Sequence, residues 1–264
     1  MDQRLKEIVD SLRDSGKFNS IVNKIESTRP LPMSFVFEAL FVNAFLKNGL
    51  SLAYEKNLPE SGNSTPDFMY ESEDGKKCCF ELIRPEMSEE LKIECEPEST
   101  DVEGIYTWEA LLDGRHPQQH LRPEALTIRM QEKLLEKVEQ LPSQSNEIFS
   151  FVVIDCSNFH FGHIDDEDCR MVMWGKTITP EFQEYWEGNR IQGLLEESYD
   201  RRNASIFRER ITGVIFVPEI KLNPLESAYL ALNNLRSKEH LDMLFKIIKG
   251  KKTFDTFRVI HLPN

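Results

Sequence analysis

Apolar residues recur at helical spacing near the N-terminus. Leu5, Ile8, Val9 and Leu12 fall on one face of residues 2–28, which read as one or two short amphipathic helices. Pro30, Leu31 and Pro32 punctuate them, and Ser34 stands where it would cap a strongly apolar helix running to about Asn48 and closed by Gly49. Three strand-like pieces follow, at 52–57, 66–71 and 77–84, separated by polar turns at 60–64 and 72–75, and they read as a meander. Residues 86–124 break the pattern with a run of acids (Glu86, Glu89, Glu90, Glu94, Glu96, Glu98, Asp101, Glu103). So long a connection reads as an insertion, a lid or a disordered segment. A second long helix is expected over 124–141, with the stripe Leu126, Met130, Leu134, Val138 and Leu141. Beyond it come a buried strand at 148–155, a helix at 181–198, a buried strand at 213–218, a helix near 240–248 and an extended piece at 257–262. This order predicts a mixed α/β fold with a central sheet flanked by helices, carrying a long acidic insertion. The expected organisation is an N-terminal helical extension (1–33) and an α/β domain (34–264) with the insertion at about 86–124.

Composition narrows this picture without changing it. A chain of 264 residues with 40% hydrophobic and 29% charged residues suits one elaborated soluble domain. The longest apolar stretches, 35–46 and 148–154, are too short or too interrupted to cross a bilayer, and the first seven residues lack the apolar core of a signal peptide. A cytoplasmic location without membrane partners is expected. Cys78, Cys79, Cys95, Cys156 and Cys169 show no zinc-like spacing and read as reduced, mostly buried thiols. The net charge of −13 means that any nucleic-acid contact must rest on a local basic patch, or that a protein partner supplies the positive charge.

Chemistry enters with three acids among apolar neighbours. Glu38 is flanked on its helix by Phe35, Phe41, Val42 and Phe45. There an ionised carboxylate must be paired, metal-bound or able to reach water. Asp67 follows Pro66 at the start of one strand, and Glu81 lies within the next. Alternation puts Lys77, Cys79, Glu81 and Ile83 on one face, with Cys78, Phe80, Leu82 and Arg84 on the other. If the two strands form a hairpin, Asp67 comes opposite Glu81. Carboxylates crowded in this way repel one another, and Mg2+ or Mn2+ is the usual resolution.

At this point the chain resembles the PD-(D/E)xK phosphodiesterase superfamily, the restriction-endonuclease-like fold. The resemblance rests on Glu38 in the leading helix, Pro66-Asp67, and Phe80-Glu81-Leu82, followed by an amphipathic helix and the apolar strand Phe151-Val152-Val153-Ile154; it spans roughly 34–155. It implies a metal-dependent nuclease acting on DNA or RNA. Asp67, Glu81 and the Leu82 carbonyl would hold Mg2+ or Mn2+, and Glu38 would bind a second metal or a bridging water. The superfamily's lysine, two positions after the glutamate, is here Ile83. Some members supply the amine from the next helix, where Arg129, Lys133 and Lys137 recur at i, i+4 and i+8, with Gln140 nearby. Lys133 or Lys137 is the expected replacement, and Lys77 a weaker one. By its residues alone, that helix edge suits a solvated basic stripe paired with Glu132 and Glu136 better than a catalytic amine.

Other constellations carry less. His116 and His120 are separated by Pro117, which disfavours a shared ligand helix. His160 and His163 with Asp165, Asp166, Glu167 and Asp168 read as a polar surface loop. Arg201, Arg202, Arg208 and Arg210 form the dense basic cluster, suited either to phosphate or to a solvated helix. No Walker loop, GxGxxG or Gly-x-Ser-x-Gly occurs, so nucleotide hydrolysis and serine-hydrolase chemistry have no support. Against the nuclease stand two rivals. One is a non-catalytic scaffold or partner-binding module on the same fold; the other makes the acidic insertion the functional part, through nucleic-acid mimicry or a basic partner.

Overall fold

The structure is a computed structural model that describes residues 3–58, 64–85, 123–143, 145–157, 164–177, 190–221, 223–233 and 258–260. Three helices lead: α1 (Gln3–Asp14), α2 (Asn19–Ser27) and α3 (Met33–Lys47). The meander follows as β1 (Leu52–Tyr54), β2 (Phe68–Glu71) and β3 (Lys77–Ile83). Next are α4 (Pro123–Lys137), a 3-10 turn (Val138–Gln140), β4 (Ile148–Asp155) and α5 (Asp166–Trp174). The chain continues through β5 (Lys176–Thr177), β6 (Arg190–Ile191), α6 (Ala204–Arg210), β7 (Gly213–Val217), β8 (Tyr229–Leu232) and β9 (Arg258–Ile260). A seven-stranded sheet in the order β1-β2-β3-β4-β7-β8-β9 is the centre of the fold, and β5 and β6 form a separate ribbon. The sheet is mixed: β3, β4 and β7 run parallel to one another, while β1–β2, β2–β3 and β7–β8 are antiparallel.

Both faces of the sheet are covered. On one, Cys78, Phe80, Leu82, Phe149, Phe151 and Val153 pack with the apolar sides of α1, α2 and α3. On the other, Ile83, Val152, Ile154, Val214 and Phe216 pack with α4, α5 and α6. This sandwiching explains why β4 is buried at every position and reads as a continuous apolar run. It also explains α3, whose residues from Val36 to Phe45 are buried except Glu38, because the helix lies between the sheet and α1–α2. The N-terminal helices, set apart in the sequence by Pro30 and Pro32, thus share one core with α3 and the sheet through Ile8, Val9, Leu12, Ile21, Val22 and Ile25.

The β2–β3 turn determines the register that matters for function. Gly75 sits at φ +82, Ser72 N–H donates to the Lys76 carbonyl at 2.8 Å, and Glu71 faces Lys77. Phe68 therefore faces Phe80, and the preceding residue, Asp67, arrives beside Glu81. A slip of one residue would reverse the sheet face of every side chain on the strand.

Four expectations change. The helix of residues 33–47 starts at Met33 after Pro32, so Ser34 lies within its first turn and does not cap it. Of the helix expected over 181–198, residues 190–198 form β6 and turns. Gly193 lies against Trp174–Gly175, where an added Cβ would meet the Gly175 nitrogen at 2.2 Å, so this contact replaces helical winding. Asp165 to Asp168 form a helix start. The Asp165 carboxylate accepts from the Glu167 and Asp168 N–H groups at 2.9 and 3.0 Å, and Asp168 accepts from the Asp165 N–H, a reciprocal cap that favours acids at a helix N-terminus. Finally, the strand expected from residue 66 begins at Phe68, leaving Asp67 just ahead of it. The helix expected near 240–248, the insertion apart from its last residues at the start of α4, and His116, His120, His160 and His163 lie outside the described residues. Among the described residues no helix is long and apolar enough to cross a membrane.

Candidate functional site

The site forms where the ends of β1, β2 and β3 meet. Glu81 lies on the α4 side of β3 and is completely buried. Its Oε2 accepts from the Asp67 N–H at 3.3 Å, and the Asp67 Oδ2 accepts from the Leu82 N–H at 2.8 Å. Each acid thus braces the other's strand. The N–H and carbonyl of a strand residue open to the same edge, so the Leu82 carbonyl also opens toward β2. Glu55, at φ +45 beyond the end of β1, donates its N–H to the Asp67 carbonyl at 2.9 Å and anchors the acid from the other side.

The amine comes from α4. Lys137 Nζ donates to Glu81 Oε1 at 2.8 Å and to Gln140 Oε1 at 3.2 Å. Lys133, one turn earlier, pairs instead with Glu136 at 2.8 Å on the exposed edge of the helix. Lys77 is at the opposite end of β3 from Glu81. Arg84 is committed to Asp155, on the other face of the sheet. α4 and the 3-10 turn that follows it are held by their neighbours. The buried Gln131 amide donates to the Val172 and Gln192 carbonyls, and Arg210 donates to the Glu139 and Leu141 carbonyls at 3.1 and 2.9 Å. The arginine cluster is therefore largely structural: Arg208 donates to the Leu194, Glu196 and Tyr199 carbonyls, and Arg201 pairs with Glu132.

Glu38 stands on the opposite side of the sheet edge and is set apart from the pair. Tyr54 Oη donates to its Oε2 at 3.4 Å, and Lys24 Nζ lies 4.0 Å away. Among the described residues no three His, Cys, Asp or Glu side chains form a group that could hold a metal ion. The expected convergence of Glu38, Asp67 and Glu81 thus resolves into a close pair with Lys137, plus an outlying acid. The physical reason is that α2 and α3 lie on one face of the sheet and α4 on the other, so Glu38 of α3 meets Lys24 of α2 while Glu81 meets Lys137 of α4. Lys24, Tyr54 and Glu55 carried no signal in the sequence: Lys24 belongs to the helical segment set apart at 1–33, and Tyr54 reads as an ordinary strand residue.

The electrostatics follow from burial. Burial, then the nearby Asp67 charge, pushes Glu81 up to about 7, against the opposing pull of Lys137. Burial raises Asp67 too, opposed by the Leu82 N–H and by Lys137 and Lys24. Burial likewise raises Glu38, opposed by Lys24 and reinforced by Asp67 and Glu55. Burial alone would lower Lys137, but its hydrogen bond to Glu81 and the charges of Glu81, Asp67 and Glu38 outweigh this and raise it. Four carboxylates (Glu38, Glu55, Asp67, Glu81) face two ammonium groups (Lys24, Lys137), so the cluster is short of positive charge when fully ionised. The Asp67–Glu81 pair and the Leu82 carbonyl are hard oxygen donors that suit a cation such as Mg2+, which takes one or two carboxylates and keeps several waters.

Compared with protein-family models, curated proteins and solved structures, the chain matches none of them.

Proposed function

We propose that this protein is a divalent-metal-dependent nuclease of the PD-(D/E)xK type, on a restriction-endonuclease-like core, in which Lys137 replaces the lysine that Ile83 displaces. The observation that carries the reading is the 2.8 Å contact between Lys137 Nζ and Glu81 Oε1, made from the helix that follows the meander. The order of β1–β3, α4 and β4 supports it, as does the Asp67–Glu81 contact across the hairpin.

In this reading Asp67, Glu81 and the Leu82 carbonyl hold Mg2+ or Mn2+, which supplies positive charge to acidify a water and to offset charge developing on the phosphate. The Lys137 ammonium, fixed by Glu81 and Gln140, stands beside the reacting phosphate and stabilises the same developing charge. Asp67 keeps its orientation through the Leu82 N–H and the Glu55 N–H. Glu38 acts through its charge on Asp67 and not as a ligand.

The test is cleavage of DNA and RNA by wild type, Asp67→Asn, Glu81→Gln and Lys137→Met, with and without Mg2+ or Mn2+. Metal-dependent cleavage that drops by at least ~100-fold in each variant is expected. Equal activity in all four proteins refutes the assignment. A second reading, a non-catalytic partner-binding module on the same fold, is favoured by two observations: Lys137 already compensates Glu81, and no three-ligand group occurs among the described residues. Calorimetry with Mn2+ separates the two, since the module predicts no binding that depends on Asp67.

A further inference from the structure

The second lysine of the cluster stands out by how loosely it is held. Among the described residues the shortest contact of Lys24 Nζ is with a neutral group, Tyr54 Oη at 2.6 Å, and its ion pairs with Glu55 and Glu38 are long, at 3.6 and 4.0 Å. Lys137 and Lys133, by contrast, each sit 2.8 Å from a carboxylate oxygen. The Lys24 ammonium also lies 5.6 Å from the centroid of the Phe35 ring, and its side chain is 37% exposed. The Phe35 ring and the Tyr54 hydroxyl fix the position of the charge while leaving it open to solvent. Its field reaches Asp67 from the α3 side of the sheet edge, as that of Lys137 does from the α4 side.

Building on the nuclease reading, we propose that Lys24 is a substrate-binding residue that takes a phosphate of the nucleic-acid backbone beside Asp67, with Tyr54 and Phe35 as its cradle. A chain with a net charge of −13 needs cations concentrated at the cleavage point to hold a polyanion. Lys137 is engaged by Glu81, and Arg208 and Arg210 are engaged by backbone carbonyls. Lys24 can exchange a phenol and two distant carboxylates for a phosphate without leaving a buried acid bare, because Glu55 is exposed and Glu38 keeps its Tyr54 hydrogen bond. In this arrangement the segment containing α2 forms part of the substrate site.

The experiment measures binding apart from cleavage. Short fluorescein-labelled DNA and RNA oligonucleotides, single-stranded and duplex, are titrated into Asp67→Asn, Asp67→Asn/Lys24→Met and Asp67→Asn/Lys24→Arg, with anisotropy recorded over a range of salt concentrations. Lys24→Met is expected to weaken binding about tenfold and to lower the slope of log affinity against log salt by about one, while Lys24→Arg retains both. In the otherwise wild-type enzyme, the Lys24→Met loss falls mainly on KM. Matching melting temperatures for the Met and Arg variants exclude a folding defect as the cause. Identical affinity and salt slope with and without Lys24 overturn the proposal and leave the nuclease reading standing. An absence of both oligonucleotide binding and cleavage in the wild type overturns the two together.

Discussion

Replacing Glu81 by glutamine should change the pH dependence of stability in a defined direction. The carboxyl is completely buried, and its pKa is raised from the ordinary 4.5 to about 7, first by burial and then by Asp67. The folded protein therefore binds a proton at Glu81 more tightly than the unfolded chain does. The resulting stabilisation is fully present below pH 4.5, falls as pH rises, and is lost above about 7. At about 1.4 kcal/mol per pH unit, this window corresponds to on the order of 3 kcal/mol. Lys137 stays charged across the window, so the loss of its partner in Glu81→Gln adds an offset that is independent of pH. Urea unfolding of both proteins between pH 4.5 and 8 measures the effect. Wild type should lose about 3 kcal/mol relative to Glu81→Gln on going from the acid to the alkaline end. On the proposed function, Mg2+ or Mn2+ should flatten the wild-type curve, because it favours the ionised pair. Curves that stay parallel within about 0.5 kcal/mol would refute the reasoning, for Glu81 would then be no harder to ionise than in the unfolded chain.

Lys137→Met should destabilise the metal-free protein at pH 8 by roughly 2–3 kcal/mol, somewhat less than the cost of breaking a fully buried pair because Lys137 is partly exposed. Lys133→Met, at an exposed pair, should change stability by less than about 0.5 kcal/mol; chemical denaturation of the two variants side by side checks both. Asp155→Asn removes the carboxylate charge paired with the mostly buried Arg84 guanidinium on the other face of the sheet and should cost about 3 kcal/mol, read from the urea midpoint. Asn43 is 1% exposed, and neither amide atom has a hydrogen-bond partner among the described residues, so Asn43→Leu should stabilise by about 1–2 kcal/mol, seen as a higher melting temperature.

Much of this architecture is written in local pattern. Alternation along β3 separates Phe80 and Leu82 from Glu81 and Ile83, and the structure places them in opposite layers, because a strand's side chains must alternate whatever surrounds them. The Ser72–Gly75 turn determines the hairpin register, and with it the meeting of Asp67 and Glu81. Both are consequences of short-range backbone geometry and need no knowledge of the rest of the chain.

What lies beyond that range was decided by packing. Lys133 and Lys137 stand one turn apart on the same helix edge, roughly 6 Å along its axis, and periodicity treats them alike. Only the docking of α4, through Gln131 and the Arg210 contacts to the 3-10 turn and Leu141 beyond the helix, brings Lys137 to Glu81 and leaves Lys133 with Glu136. Glu38 shows the same limit: its apolar neighbours mark a buried acid, but Tyr54 and Lys24, which meet it, come from elements that the pattern treated as a strand and a separate helical segment. Hydrophobic periodicity reports which face of an element is hidden. Which charged groups meet across elements depends on how those faces stack, and that is a property of the tertiary fold alone.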